Sequence, residues 1–297
     1  MKRKALFIIN PVSGGKKKEG VPDLIQKYVD STIFDFETTF STGISDARDI
    51  AKQAAGKYDI IAAVGGDGTV NEVASAIAGT NSVLAIIPYG SGNGLSRFLS
   101  IPMDVEGAFA TFNKGRTISI DAGKMNGHWF FNMAGMGFDA HISHVFAHGS
   151  KKRGFISYFK SSLQEINKYE PQLYKLDIDG VKYEREAFML SMANSSQYGN
   201  NAHVSPTASV QDGLLDVCII KPFPLYRFPE MGLRMFTKTA DSSQFVEIIK
   251  GKHIIITRSK PGPVHLDGEP QIEGAEIKID VVPGALKVIV GGSYKNG

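Results

Sequence analysis

The residues best placed to do chemistry lie in Val64-Gly-Gly-Asp-Gly-Thr-Val-Asn-Glu-Val-Ala74, where an apolar run ends in glycines, a carboxylate and a helix start. Residues Asp59 to Val64 read as a buried parallel strand. Gly65, Gly66 and Gly68 then let the backbone turn so that amides and a helix N-terminus face an anion. Asp67 is no direct phosphate ligand on this reading. A carboxylate beside phosphates fits when Mg²⁺ and its waters stand between them, because Mg²⁺ keeps several waters and takes few protein ligands. Part of the stretch has a structural reading: Thr69-Val-Asn-Glu72 is the pattern of a capping box for a helix continuing through Ala78. That reading leaves Asp67 and the three glycines unexplained.

Strand and helix patterns alternate around this loop. Strands are expected at Ala5–Ile9, Ile33–Phe40, Asp59–Val64, Val83–Ile87 and Thr117–Asp121. Helices are expected near Val21–Val29, Asp46–Ala55, from Leu95, and near Val105–Asn113. The alternation predicts a doubly wound α/β domain over residues 1–122. Ligands of such sheets lie at the carboxyl ends of the strands. Three turn-rich loops follow strands here: Asn10-Pro-Val-Ser-Gly-Gly15, Gly65 to Gly68, and Tyr89-Gly-Ser-Gly-Asn-Gly94. Together they would enclose a polyphosphate from several sides. None is a Walker A loop, and the first strand does not lead into Gly-x-Gly-x-x-Gly. Lys16, Lys17 and Lys18 after the first loop read as a solvated run, with attraction of phosphate as the alternative.

Composition bounds the remainder. With 297 residues, 42% hydrophobic and 21% charged, the chain has the makeup of a globular protein of two domains. A net charge of +3 gives no argument for nucleic acid and does not oppose contact with an anionic membrane. The single cysteine, Cys218, lies in an apolar run and reads as a buried strand residue in a reducing compartment. The apolar segment after Met1 ends at Asn10-Pro11, too short for a signal-peptide core. No apolar run approaches the roughly 18 residues needed to span a bilayer, so a lipid would be met at the interface.

The segments Phe7-Ile-Ile-Asn-Pro-Val-Ser-Gly-Gly15, Gly65-Gly-Asp-Gly-Thr-Val-Asn-Glu-Val73 and Pro88-Tyr-Gly-Ser-Gly-Asn93 together resemble the diacylglycerol kinase catalytic domain family, which includes bacterial lipid kinases and the sphingosine kinases. The resemblance extends through Asp121–Asn126, Asn132–Asp139, Gln211–Asp216 and Leu266-Asp-Gly-Glu269. It implies an ATP- and Mg²⁺-dependent transfer of phosphate to a lipid primary hydroxyl, most readily that of diacylglycerol. Sphingoid bases, phosphatidylglycerol and polyprenols are alternative acceptors. A non-catalytic lipid or nucleotide sensor and an NAD kinase are the other readings.

The resemblance also implies site residues. Asn10, Ser41, Gly65, Gly66, Asp67, Gly68, Thr69, Asn71, Glu72, Ser91, Gly92 and Asn93 match positions that hold ATP. Asp67 would reach Mg²⁺ through water. Asp267 and Glu269 match the acidic motif that supplies the general base, although Leu266-Asp-Gly-Glu269 also reads as a hairpin turn like that at Asp179-Gly180. Asp212, with the carbonyls of Ser209 and Leu214, matches a second Mg²⁺ site. Two departures stand out: Gly94 lies where many bacterial members carry an acid, and Lys151-Lys-Arg-Gly154 offers only Arg153 where sphingosine kinases place phosphate-binding arginines. The implied location is cytoplasmic, peripheral at the inner membrane face, in lipid metabolism such as phospholipid biosynthesis, with a homodimer left open.

Beyond residue 123 the pattern turns to strands with hairpin signals, broken by helical stretches near Phe138–Phe146, Phe155–Lys168 and Leu225–Thr237. A β-rich, sandwich-like domain over residues 123–297 is expected to hold the lipid, its last strand returning to the first domain. His141, His144 and His148 share one helix face, but nothing completes a metal site and a packing role is expected. Leu225–Phe236, mixing aromatics, methionines and arginines, is expected to pack on the sandwich, with membrane docking as the alternative.

Overall fold

The computed structural model describes residues 2–15, 18–149, 164–166 and 168–295. Lys16, Lys17, Arg153, the side chain of His148 and most of the helix expected at Phe155–Lys168 lie outside the described residues. The chain forms two compact units, Met1–Ile120 with Gly284–Asn296, and Asp121–Pro283.

In the first unit, strands β1 (Arg3–Ile9), β2 (Phe34–Phe40), β3 (Ile60–Gly65) and β4 (Val83–Pro88) alternate with helices α1 (Val21–Tyr28), α2 (Asp46–Ala54), α3 (Asp67–Ile77), α4 (Gly94–Phe98) and α5 (Val105–Lys114). The strands are parallel in the order β2-β1-β3-β4. Both β3 and β4 are buried along their whole length, which is why they read as continuous apolar runs rather than alternating ones. Phe7 meets the rings of Phe36, Phe109 and Phe112, anchoring β1 to β2 and α5. Each such ring or aliphatic side chain contributes about 1.5–3 kcal/mol when fully buried.

The second unit holds β5 (Thr117–Met125), which begins in the first, then β6 (His128–Phe130), β7 (Met133–Gly137), α6 (Phe138–Gly149), β8 (Gln172–Ile178), β9 (Val181–Ala187), β10 (Met189–Ala193), β11 (Gln197–Gly199), β12 (Ala202–His203) and β13 (Leu215–Ile220). It continues with α7 (Phe228–Phe236), β14 (Val246–Gly251), β15 (His253–Thr257), β16 (Gly262–Leu266), β17 (Glu269–Glu273) and β18 (Glu276–Ile289). One sheet is antiparallel in the order β14-β13-β10-β7-β16-β17. A second pairs β18, β15, β8 and β9. Alternate residues of both sheets share one core, including Met136, Leu190, Met192, Val217 and Ile219 from the first and Leu176, Ile254, Ile256 and Ile277 from the second. The opposite face of the first sheet is also covered: Met133, Met189, Cys218 and Ile220 pack with Phe138 and Ile142 of α6 and Met231 of α7. Cys218 is fully buried there, and burial pushes its thiol up. Strand β18 serves both units, with Ile277 and Ile279 opposite Ile256 and Ile254, and Lys287 and Val288 opposite Val83 and Leu84.

On the second unit, Glu247 lies between Arg185, at 2.9 Å, and Lys221, at 2.9 Å. Hydrogen bonding by Arg185, then Lys221, holds its carboxyl down at about 2, from 4.5. A depressed carboxylate contributes stability that is present above the unfolded value and lost as pH falls toward the folded one. Glu247→Gln should therefore lower stability at pH 7 by about 1 kcal/mol, allowing for the partly exposed cations, with the deficit shrinking between pH 4.5 and 2. Thermal unfolding of both proteins at pH 7 and pH 3 checks this.

Candidate active site

At the carboxyl edge of the first unit's sheet, the three loops are tied to one another by named bonds. The Asn10 amide N–H donates to the Val64 carbonyl at 3.1 Å, and the Tyr89 N–H donates to the Gly65 carbonyl at 2.7 Å. Asn10 Nδ2 donates to Thr69 Oγ1 at 2.9 Å. The Asp67 carboxylate bridges to the third loop, Oδ2 accepting from the Asn93 amide at 2.8 Å and Oδ1 from the Gly94 amide at 2.9 Å. The loops lie where the strand order reverses direction about β1, the crevice in which open α/β sheets bind ligands.

Two glycines permit this closeness. A Cβ on Gly90 would fall 2.6 Å from the Gly66 Cα. Gly14 has φ +65°, and a Cβ there would land on the carbonyl oxygen of Tyr89, inside any allowed contact. Gly14→Ala should cost roughly 2–4 kcal/mol and loosen nucleotide affinity, readable by thermal unfolding and ATP titration. Asn93 takes the left-handed conformation with φ 52°, tolerated by asparagine, and its side chain closes on both backbone groups of Gly90.

The capping box does not form. Helix α3 starts at Asp67 with Gly66 as its N-cap, so Thr69 and Glu72 lie inside the helix. Thr69 instead receives Asn10, and Glu72 Oε1 accepts from the Ser45 amide at 3.2 Å, joining the loop after β2 to α3. Of the two readings of Thr69 and Glu72 in the sequence, the cap is thus the one set aside, since both side chains tie loops together instead. Ser41 is buried with its N–H on the Ile9 carbonyl, Ser91 is exposed on the third loop, and Asn71 Oδ1 accepts from Ser75. Lys18 is not solvated either: it is buried, its ammonium donates to the Ser13 carbonyl and stands 5.5 Å from the Tyr89 ring centroid. Sequence reasoning passed over Arg97, whose Nε reaches the Gly92 carbonyl at 3.2 Å.

On the second unit, Asp267 and Gly268 have φ 50° and 90° between the paired residues Leu266 and Glu269, a two-residue hairpin turn. The hairpin reading is therefore correct, and it does not use up the aspartate. The buried Asp267 carboxylate accepts from the amides of Phe131 at 3.0 Å, Asn132 at 2.8 Å and Met133 at 3.0 Å. Asp179, in the matching turn with φ 50°, also receives amides, those of Lys252 and His253, but on the surface. Those bonds, the His253 amide foremost, hold its carboxyl below the usual range. Glu269 is exposed at the start of β17.

Close by in sequence, His265 and Asp139 form a buried pair that motif reading missed, Nε2 to Oδ2 at 2.8 Å, and Tyr198 donates to the same oxygen at 2.7 Å. The only signal for it was a histidine two residues before Asp267. His141 reaches Glu165 at 3.1 Å, and among the described residues no group of three or more metal-ligating side chains gathers.

Asp67, at the meeting point of three amide-rich loops, fits a Mg²⁺ held through water. Asp212 fits one poorly. Its Oδ1 accepts from the Leu214 amide at 3.1 Å, while Lys250 stands 3.1 Å from Oδ2 and 2.9 Å from Asp216. Burial pulls the Lys250 ammonium down, but its bonds to Asp216 and Asp212 outweigh this and hold it above the usual lysine value. The positive charge beside Asp212 is thus already supplied by Lys250. Asp121, buried, accepts from the Gly213 amide at 2.7 Å and fixes the same loop.

Residues 4–125 match the diacylglycerol kinase catalytic domain model, and residues 132–290 match the YegS C-terminal NAD kinase beta sandwich-like domain. A probable lipid kinase YegS-like of Pseudomonas aeruginosa is 33% identical over 247 residues, covering 82% of this chain and 80% of the relative. A diacylglycerol kinase of Bacillus subtilis is 28% identical over 273 residues, covering 90% of each. A crystal structure of a candidate diacylglycerol kinase from Bacillus anthracis superposes with TM-score 0.80 at 26% identity, covering 99% of each chain. With both domain models in series along one chain and a lipid kinase relative 33% identical across most of it, the chain belongs to the diacylglycerol kinase catalytic domain family.

Proposed function

We propose that this chain transfers the γ-phosphoryl group of ATP to the primary hydroxyl of a membrane lipid, diacylglycerol being the favoured acceptor. The observation that carries the reading is the joining of three amide-rich loops at the sheet edge of the first unit, the first tied to the second through Asn10 and Thr69 and the third through Asp67. Phosphoryl transfer depends on positioning and charge neutralisation rather than on covalent chemistry by the protein. Loop amides from the stretches after β1, β3 and β4 would hold the phosphates, and Asn10, Thr69 and Asp67 would keep those loops at a fixed separation.

Asp67 would hold Mg²⁺ through water, and the ion when bound neutralises charge on the phosphates. An alcohol is a poor nucleophile at neutral pH, so a carboxylate must take its proton as the oxygen attacks. We assign that step to Asp267, oriented by the amides of Phe131, Asn132 and Met133, with Glu269 as the neighbouring acid of the motif. No step is assigned to Asp212.

The relatives named diacylglycerol kinase and lipid kinase support a lipid over a soluble acceptor. The acceptor is tested by ranking diacylglycerol, a sphingoid base, phosphatidylglycerol and a polyprenol in mixed micelles with labelled ATP and Mg²⁺, with NAD alongside. Diacylglycerol should give the highest kcat/KM and NAD no product. Labelled NADP with silent lipids would remove this reading.

A further inference from the structure

Four of the twelve exposed large hydrophobic side chains among the described residues fall within one short stretch of the second unit: Leu225, Tyr226, Leu233 and Phe236. The stretch runs from a 3-10 turn at Leu225–Arg227 into α7. Its inward side is accounted for, since Met231 is buried and Phe228 and Met235 pack against the cluster on the outer face of the sandwich. The outward side is also apolar. Pro229 and Leu233, four residues apart, share one exposed helix face, with Tyr226 78% and Leu233 62% exposed. A surface helix ordinarily presents polar residues to water, so an apolar outward face needs a partner.

Charge indicates which partner. Residues 225–238 carry Arg227, Arg234 and Lys238 against the single acid Glu230, a net charge of 3 − 1 = +2. Glu230 is shared by Arg227 at 2.9 Å and Arg234 at 3.0 Å, so one acid answers two guanidiniums. Arginines beside exposed aromatic and aliphatic side chains are the composition of a surface that enters the headgroup layer of an anionic bilayer.

We propose that the Leu225–Phe236 face is the surface by which this protein docks on anionic phospholipid membranes, Tyr226 and Leu233 entering the headgroup boundary while Arg227, Arg234 and Lys238 meet lipid phosphates. The proposal deepens the lipid-kinase reading, on which it rests for its purpose, but docking is measurable without turnover.

The test is sedimentation of the full chain with vesicles of phosphatidylglycerol and phosphatidylcholine, and with phosphatidylcholine alone. The wild type is compared with the double variant Tyr226→Ser/Leu233→Ser. Wild type should bind the mixed vesicles roughly tenfold or more tighter than the neutral ones, and the double variant should lose roughly tenfold or more in binding to the mixed vesicles. Transfer to diacylglycerol embedded in vesicles should fall in parallel, while transfer to a monomeric short-chain diacylglycerol should be unchanged. Equal sedimentation of the two proteins, no sedimentation of the wild type, or equal binding to both vesicle types would overturn the proposal. If neither acceptor is phosphorylated yet the sedimentation difference persists, the kinase reading fails and the docking surface stands. Should the double variant unfold early, Leu225→Ser on the preceding turn gives the same comparison.

Discussion

Asp67→Ala is expected to reduce phosphoryl transfer roughly a thousandfold or more with little loss of global stability. Two roles end together in that variant. The carboxylate is the proposed seat of Mg²⁺ through water, and it is also the bond that draws the Asn93 and Gly94 amides of the third loop toward the first two. Removing a single preorganised charge-stabilising group costs about 10²–10³ in rate in well-studied enzymes, and here loop geometry goes with it. Initial rates at saturating ATP, with thermal unfolding alongside, measure the effect. Asp67→Asn separates the roles, since it retains a side-chain oxygen for one of the two amides while losing the charge. A rate within tenfold of wild type in Asp67→Ala would remove Asp67 from the chemistry.

The second large effect is expected at the hairpin of the second unit. Asp267→Asn should lower kcat about 10²–10⁴-fold, the range ascribed to general acid–base groups, and Glu269→Gln should lower it less. The two substitutions differ in structural risk. An asparagine at 267 presents an NH₂ group toward amides that now donate to a carboxylate, so some stability is lost as well. Glu269 is exposed, and its substitution should disturb unfolding less than that of the buried Asp267. A loss confined to kcat in either variant at temperatures well below its unfolding midpoint identifies the base. Full turnover in both would take the hairpin out of the mechanism and leave it as the turn it also is.

Much of the first unit was legible in the sequence because its information is local. Apolar runs such as Ile60–Gly65 must be strands buried on both faces, and the glycine-rich turns that follow them mark the sheet's binding edge. The partners within that edge were not legible. Asn10 finds Thr69 across 59 residues, and Asp67 finds Asn93 and Gly94 across 26 and 27. Such bonds depend on the register of neighbouring strands, which residue spacing does not encode. The same ambiguity left two readings open for Thr69 and Glu72, since a threonine and a glutamate three apart suit a helix cap and a loop clasp equally well.

The second unit was legible as hairpins and less so as a site. Asp267-Gly268 and Asp179-Gly180 are indistinguishable as dipeptides and adopt the same backbone, yet one carboxylate is buried against three amides and the other lies at the surface. Asp267 reaches its amides because β16 pairs with β7, a feature of the assembled sheet. His265 and Asp139 became a pair for the same reason, joined across 126 residues. The Leu225–Phe236 stretch, expected to pack on the sandwich, does so with Phe228, Met231 and Met235, and presents Tyr226 and Leu233 outward.

The central claim is tested most directly by following labelled γ-phosphate from ATP with Mg²⁺ into diacylglycerol in mixed micelles under single-turnover conditions, with Asp67→Ala as control. Labelled phosphatidic acid forming with wild type and not with the variant is the predicted result. Stoichiometric ATP binding with no label in any lipid would contradict the account and leave the chain a nucleotide-binding protein without transfer.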